Sequence, residues 1–151
     1  MTEVRYGLYK SSIGPITVIA EDDEITMLDF CDCVEKGLMN NEWFSDLFQK
    51  LDMYFQGKRV EFTVKIRLPM NPFRQRVFKE VMKLRWGEIT TYKHVAERIG
   101  SSPRAVGTAL SKNQTLLLVP CHRVIAESGI GGYSRGVDIK RKLLKLEGHE
   151  F

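Results

Sequence analysis

Tyr92-Lys93-His94-Val95-Ala96-Glu97-Arg98-Ile99-Gly100-Ser101-Ser102-Pro103-Arg104-Ala105-Val106-Gly107-Thr108-Ala109-Leu110 reads as two short helices joined by a tight turn. The pattern predicts a helix over 92–99, a turn at Gly100-Ser101-Ser102, and a second helix to about residue 112, capped by Ser102 and opened by Pro103. Two short helices around a glycine-containing turn form a helix-turn-helix pattern, whose second helix normally approaches DNA. A tightly packed helical hairpin with no such role has the same signature. The second helix is built from small residues, with Arg104 the only long polar side chain in its first two turns. It can come close to a duplex but has little with which to distinguish base edges, which points to nonspecific or minor-groove contact.

Upstream of this pair, Asn71-Pro72 supplies a cap followed by proline at the first helical position, and Phe73, Val77, Phe78, Val81 and Met82 form the apolar face of a helix over 72–84. The first half has a different grammar. Strand candidates at 4–10, 15–20 and 25–33 are separated by Ser-Ser-Ile-Gly and Glu-Asp-Asp-Glu turns, an antiparallel meander. Trp43, Phe44, Leu47, Phe48, Leu51, Tyr54 and Phe55 then recur at steps of three and four, predicting one amphipathic helix over 42–56 with Gly57 to end it. An extended connector is expected over 60–70. The expectation is an α+β chain of two domains, residues 1–68 and 69–151.

Composition sets the outer bounds. Hydrophobic content of 43% with 28% charged residues describes a folded globular protein and excludes a disordered chain. No apolar run reaches membrane-spanning length and the N-terminus does not read as a secretory signal, so no membrane association and a cytoplasmic location are expected. The net charge of +4 conceals an asymmetry: residues 1–68 hold 8 Lys and Arg against 12 Asp and Glu, a net of −4, and residues 69–151 hold the other 15 against 7, a net of +8. A basic half points to a polyanion met by that half alone. Cys31 and Cys33 lie two apart in the third predicted strand, on one face, with Cα atoms roughly 6.5 Å apart by strand geometry. That is near the limit for a disulfide, and two reduced thiols are expected, a strained local bridge being the alternative. No further ligands at metal-binding spacing accompany them, so no metal is expected.

Val119-Pro120-Cys121-His122-Arg123-Val124 carries the chemistry. A thiolate is a strong nucleophile, and an adjacent imidazole is a common means of making one near neutral pH. A buried structural cysteine would be the ordinary alternative. Pro120-Cys121-His122-Arg123-Val124, with Asn113 eight residues earlier, Gly131-Gly132-Tyr133-Ser134 and Leu146-Glu147-Gly148-His149 after it, and Tyr92 and Arg104-Ala105-Val106-Gly107 before it, resembles the O6-alkylguanine-DNA alkyltransferases.

That resemblance implies a ribonuclease H-like layout for the first domain and an all-helical, winged-helix-like second domain with the helix-turn-helix. It implies direct-reversal repair of double-stranded DNA: an alkyl group moves from O6 of guanine, and by extension O4 of thymine, onto Cys121, once and irreversibly, without a cofactor. His122 resembles the base acting through a water molecule, Glu147 the carboxylate orienting it, and Asn113 the brace of the turn. Tyr92 resembles the phenol that meets the departing base. The backbone of Cys121, Val124 and Ser134 resembles the base-binding groups, with Tyr133 beside them and Gly129, Gly131 and Gly132 giving close backbone approach. Arg104 resembles the arginine that fills the gap left by a flipped base, and Ser102, Ala105 and Thr108 share its DNA-facing helix. A monomer is expected, with cooperative loading on DNA left open and a nucleoid association if the source is prokaryotic. A helix-turn-helix regulator without alkyl transfer would leave Cys121, His122 and Glu147 idle. A cysteine hydrolase would leave the DNA features unexplained.

Overall fold

Alternating apolar and polar residues over the first thirty positions produce three antiparallel strands, β1 (Val4–Ser11), β2 (Gly14–Glu21) and β3 (Glu24–Asp29), in the order β1-β2-β3. The structure is a computed structural model; it describes residues 2–35 and 37–151 and divides into two units, Met1–Arg67 with Gln114–Leu118, and Leu68–Asn113 with Val119–Phe151. β2 is the central strand, and Ile16, Val18 and Ala20 on its inner face are fully buried. The β2–β3 turn places Asp22 at φ 54°, a left-handed conformation that aspartate tolerates better than most residues.

The outer edge of each flanking strand is covered, which removes the hazard of unpaired backbone groups. Beside β3, Ile25 exchanges backbone hydrogen bonds with Lys65 and Arg67, and Leu28 with Gln114 and Leu116. Beside β1, the Asn41 carboxamide accepts from Leu8 N at 3.0 Å and donates to Leu8 O at 3.3 Å, imitating a strand partner. Residues 114–118, far along the chain, thus belong to the first unit by their contacts. A division at residues 68 and 69 does not register this return.

The apolar stripe predicted as one helix over 42–56 is broken into a 3-10 turn, Asn41–Phe44, and α1, Ser45–Phe55. Asn40 caps the first through Trp43 N, and Gly57 follows α1 at φ 78°. Phe44, Leu47, Leu51 and Tyr54 are buried against the sheet side of this unit.

β3 stops at Asp29, four residues short of the expected end, because its carboxylate accepts the Phe30 N–H at 2.8 Å and the chain bends away. Cys31 and Cys33 therefore lie outside the strand, their Cα atoms are 5.6 Å apart, and they form a disulfide. This corrects the expectation of two reduced thiols: the bend shortens the separation that an extended strand would impose. Thr17 Oγ1 holds the bend, donating to Cys31 O and accepting from Cys33 N.

In the second unit, α2 (Pro72–Val81), α3 (Tyr92–Ile99) and α4 (Pro103–Leu110) pack through Val77, Phe78, Val81, Val95, Ala96, Val106 and Ala109. Each start is capped by a side chain, Asn71 to Arg74 N, Thr91 to His94 N and Ser102 to Ala105 N. Gly100 ends α3 at φ 71°. α2 and α4 finish earlier than predicted, their last residues relaxing into turns such as Leu84 N to Val81 O and Asn113 N to Leu110 O. The unit is not wholly helical: β4 (Thr90–Thr91) pairs in parallel with β5 (Val124–Ile125), and α5 (Val137–Leu146) closes the fold.

Packing in the first unit is tight at Gly7 on β1, where an added Cβ would lie 2.6 Å from Phe44 Cδ2 and 3.0 Å from Phe48 Cζ. Gly7→Ala is therefore expected to cost roughly 1–3 kcal/mol by overpacking. A thermal melt should show a fall of several degrees, and an unchanged midpoint would contradict the packing described.

Candidate active site

The parallel pairing of Thr90 with Val124 and Thr91 with Ile125 assembles the site. β4 runs directly into α3, so Tyr92 is the first helical residue, while β5 directly follows the 3-10 turn Cys121–Arg123. Two residues from separate elements, Tyr92 and Cys121, are thereby brought to one cavity. Its walls are Tyr92, Gly107, Leu110, Ser111, Cys121, Gly132, Tyr133 and Ser134, and its volume is about 390 Å³. α4 contributes Gly107 and Leu110, and Ser111 follows its last residue, so the second helix of the pair is itself a wall. Leu110 and Ser111 carry no signal in the sequence beyond apolar and small character, whereas Gly107 belongs to the quoted motif and Gly132 to the glycines expected to allow close backbone approach.

Asn113 braces the cysteine turn from within. It is buried, and its Nδ2 donates to Val119 O at 2.9 Å and to Cys121 Sγ at 3.2 Å. Below the turn lies a buried charge network. Glu147, just past the end of α5, meets His122 Nε2 through Oε2 at 2.6 Å, while Oε1 accepts from Arg123 Nε at 2.7 Å and from Gly87 N at 3.0 Å. Arg123 Nη1 also donates to Leu84 O, and His149 Nε2 donates to Gly87 O at 2.6 Å. Burial opposes ionisation of Glu147, but His122 and Arg123 outweigh it and hold the carboxyl well below its usual range. An ionised carboxylate can only accept, so the His122 proton resides on Nε2 and Nδ1 is the ring's lone-pair nitrogen. Burial lowers the His122 pKa, with Arg123 and Lys140 adding to the effect against the pull of Glu147.

The thiol itself is only 6% exposed. Burial pushes its pKa up to about 11, against the Asn113 donor and the Lys140 charge, which favour the thiolate. Tyr92 is likewise raised, by burial first and then by the neighbouring thiolate charge. The resting site therefore holds a neutral thiol beside a neutral imidazole.

Tyr92, Cys121, Tyr133 and Ser134 all line the cavity. Val124 is buried, and its carbonyl accepts from Lys140 Nζ at 2.6 Å. Gly131 sits at φ 76°, where an added Cβ would be 2.9 Å from Tyr92 Cε2, so this glycine permits the phenol's position. On α4, Arg104, Ser102 and Thr108 are exposed and Ala105 half-buried. Ser102 and Thr108 spend their hydroxyls on Ala105 N and Arg104 O, whereas the Arg104 guanidinium makes no bond to a described residue. Lys140, on α5, is fully buried. Arg123 was quoted in the motif but given no role. Among the described residues no group of three or more His, Cys, Asp or Glu is arranged to hold a metal ion.

The second of two short helices joined by a tight turn walls a cavity that holds a buried cysteine. Residues 4–68 match the model for the 6-O-methylguanine DNA methyltransferase ribonuclease-like domain, and residues 72–149 that for the DNA binding domain of the same enzyme. The chain is 63% identical to the methylated-DNA--protein-cysteine methyltransferase of Metallosphaera sedula, over 96% of this chain and 94% of the relative. It is 60% identical to that of Sulfurisphaera tokodaii with the same coverage. The crystal structure of Mycobacterium tuberculosis O6-methylguanine methyltransferase superposes with a TM-score of 0.85 at 35% identity, covering 96% of this chain and 93% of that one. The chain belongs to the 6-O-methylguanine DNA methyltransferase family.

Replacing the buried carboxylate tests the network. Glu147→Gln leaves Arg123 without its counter-charge and should cost about 3–5 kcal/mol at pH 7. Because the folded carboxyl titrates below the ordinary value of 4.5, its stabilisation is complete above that pH and is lost as pH falls further. Urea denaturation at pH 7, 5 and 3 should show parent and variant converging on the acid side; a constant gap would contradict the assignment.

Proposed function

We propose that this protein repairs alkylated DNA by moving an alkyl group from guanine O6 to Sγ of Cys121, once per molecule. The observation that carries the reading is the buried thiol in a cavity of about 390 Å³, walled by the second helix of a helix-turn-helix pair. That volume falls within the roughly 300–1,000 Å³ of small-molecule sites. Its solved neighbours include Mycobacterium tuberculosis OGT in complex with DNA, with a TM-score of 0.84 at 36% identity over 95% of this chain and 92% of that one. Residues 1–68 serve as the ribonuclease-like domain and residues 69–151 as the DNA-binding and alkyl-acceptor domain, acting in the cytoplasm on the chromosome as a monomer.

The chemistry follows from the residues. An alkyl carbon on an exocyclic oxygen offers no carbonyl to attack, so reaction is an in-line displacement by sulfur. The thiol proton passes through a water to His122, held in the right tautomer by Glu147. The S–C bond forms as the C–O6 bond breaks, the electron pair stays on the base, and the departing guanine anion takes a proton from water while the His122 imidazolium returns its own to solvent. Tyr92 donates a hydrogen bond to that base and the Ser134 backbone N–H meets O6. Carbonyls of Cys121 and Val124 take the guanine amino group, Val124 through the lone pair that Lys140 leaves open. O4-alkylthymine presents the same carbon to the same sulfur. The thioether product has no hydrolytic route out of this site, so Cys121 is consumed.

The O6 atom inside a duplex is closed to this attack, so the nucleotide must leave the stack at a cost of a few kcal/mol. Arg104, exposed and unengaged on α4 near Ser102, Ala105 and Thr108, fills the gap.

Incubation with a duplex carrying one O6-methylguanine should add a single methyl to the Cys121 peptide, read by mass spectrometry, and Cys121→Ser should leave the lesion intact. Sequence-selective binding without methylation would instead favour a regulator. Arg104→Ala should slow repair of the duplex by about ten- to a hundredfold, the equivalent of roughly 1.4–2.7 kcal/mol, while reaction with free O6-benzylguanine stays within twofold of the parent. Equal losses on both substrates would remove the gap-filling role.

A further inference from the structure

α5 ends in a turn that aims two side chains at one residue. Gly148 takes the left-handed conformation, φ 91°, its N–H donates to Lys145 O at 3.0 Å, and the His149 N–H donates to Leu144 O at 2.9 Å. These are the two backbone bonds of a Schellman ending. They turn the chain so that Glu147 and His149, on either side of the glycine, both reach Gly87. Glu147 Oε1 accepts from Gly87 N at 3.0 Å, and His149 Nε2 meets Gly87 O at 2.6 Å. A carbonyl oxygen only accepts, so Nε2 of His149 carries a proton.

Gly87 is thus held through both of its backbone polar groups, one by a carboxylate and one by an imidazole. It sits at φ 83° in the turn after α2, which Glu88 N closes on Arg85 O at 2.9 Å. Glycine has little preference of its own for that conformation, so losing either bond frees the backbone there. The Gly87 N–H shares Oε1 of Glu147 with Arg123 Nε, which lies at 2.7 Å, while Oε2 meets His122 Nε2 at 2.6 Å. A carboxylate is planar, so the donors that fix Oε1 also fix the direction in which Oε2 points. His149 is half-buried and is not one of the cavity's walls, so its effect on Cys121 passes through Gly87 and Glu147.

We infer that His149 is a positioning residue for alkyl transfer: its Nε2–H fixes Gly87, Gly87 fixes the Glu147 carboxylate, and the carboxylate holds the His122 imidazole beside Cys121. This deepens the alkyl-transfer reading and rests on it for the role of His122 as base. The neutral Nε2–H ring and the imidazolium both donate through Nε2, so the bond does not depend on which form of His149 is present. The Schellman ending is what makes the device work. It sets Glu147 and His149 two residues apart on a rigid turn, and the two groups of Gly87 are gripped by one short piece of chain.

The test compares His149→Phe, which keeps a ring and removes the donor, with His149→Gln, whose amide N–H can reach the same carbonyl. Reaction with free O6-benzylguanine should be about tenfold slower in folded His149→Phe and within about threefold of the parent in His149→Gln, the low end of what orienting partners of metal-bound histidines contribute. A parental rate in His149→Phe, or equal slowing by both substitutions, would overturn the donor role. Nuclear magnetic resonance of histidine-labelled protein reads the route: the His122 Nε2–H signal should move in His149→Phe and return in His149→Gln. A His122 signal unmoved in His149→Phe would overturn positioning through Glu147. Should the variants not fold, the parent spectrum still decides, because neutral His149 should carry its proton on Nε2, and a ring protonated on Nδ1 alone would overturn the proposal. That spectrum needs no alkyl substrate. Methyl transfer by the parent with any of these negative results removes the His149 role alone, whereas its absence in the parent removes the alkyl-transfer reading.

Discussion

Glu147 reaches beneath the cysteine turn and satisfies three donors with one buried carboxylate: His122, Arg123 and the Gly87 N–H. The second unit depends on this group because its partners come from two other stretches of chain. Gly87 belongs to the loop after α2, His122 and Arg123 to the turn, and Glu147 to the end of α5. Burying the carboxylate alone would be prohibitive, and burying Arg123 alone would be equally so. Together they fix the imidazole's tautomer and the pitch of the turn carrying Cys121.

The site above that network trades reactivity for protection. Removing the thiol from water raises its pKa and keeps it protonated at rest, so a buried nucleophile is shielded from adventitious chemistry. Groups that favour the thiolate, the Asn113 amide and the Lys140 ammonium, are already in place and cost no reorganisation when charge develops. The cavity wall explains why α4 is poor in long polar side chains. In the proposed function, a helix that both lines a base-sized space and approaches a duplex has room for Gly107 and for Ser111 just past its end, and Arg104 stands clear at its other end.

The local elements were largely legible. α3 begins and ends where the sequence places it, because Thr91 caps its start and Gly100 takes the left-handed conformation that stops it. The stripe over 42–56 was read correctly as apolar and helical, but its first turn is 3-10, set by the Asn40 cap and the neighbouring Asn41 reaching back to β1. Such a long-range side-chain bond has no periodic signature. The Lys140–Leu143–Leu144–Glu147 spacing did carry a signal, since steps of three and four place all four on one helical face. Lysine's usual preference for water hid it.

By itself the sequence determined the three-stranded meander, the helices that start at Pro72, Tyr92 and Pro103, the Asn71 and Ser102 caps and the cysteine motif, since each is written in neighbouring residues within a few turns of chain. Only the tertiary structure decided where the charges sit. Whether Lys140 faces water or the carbonyls of Val124 and Gly132 depends on β5 and the Gly132 loop meeting α5. Whether Cys31 and Cys33 bond depends on Thr17, fourteen residues upstream of Cys31, holding a bend after Asp29. Burial and bond geometry are properties of the elements that meet, and no local pattern records which will meet.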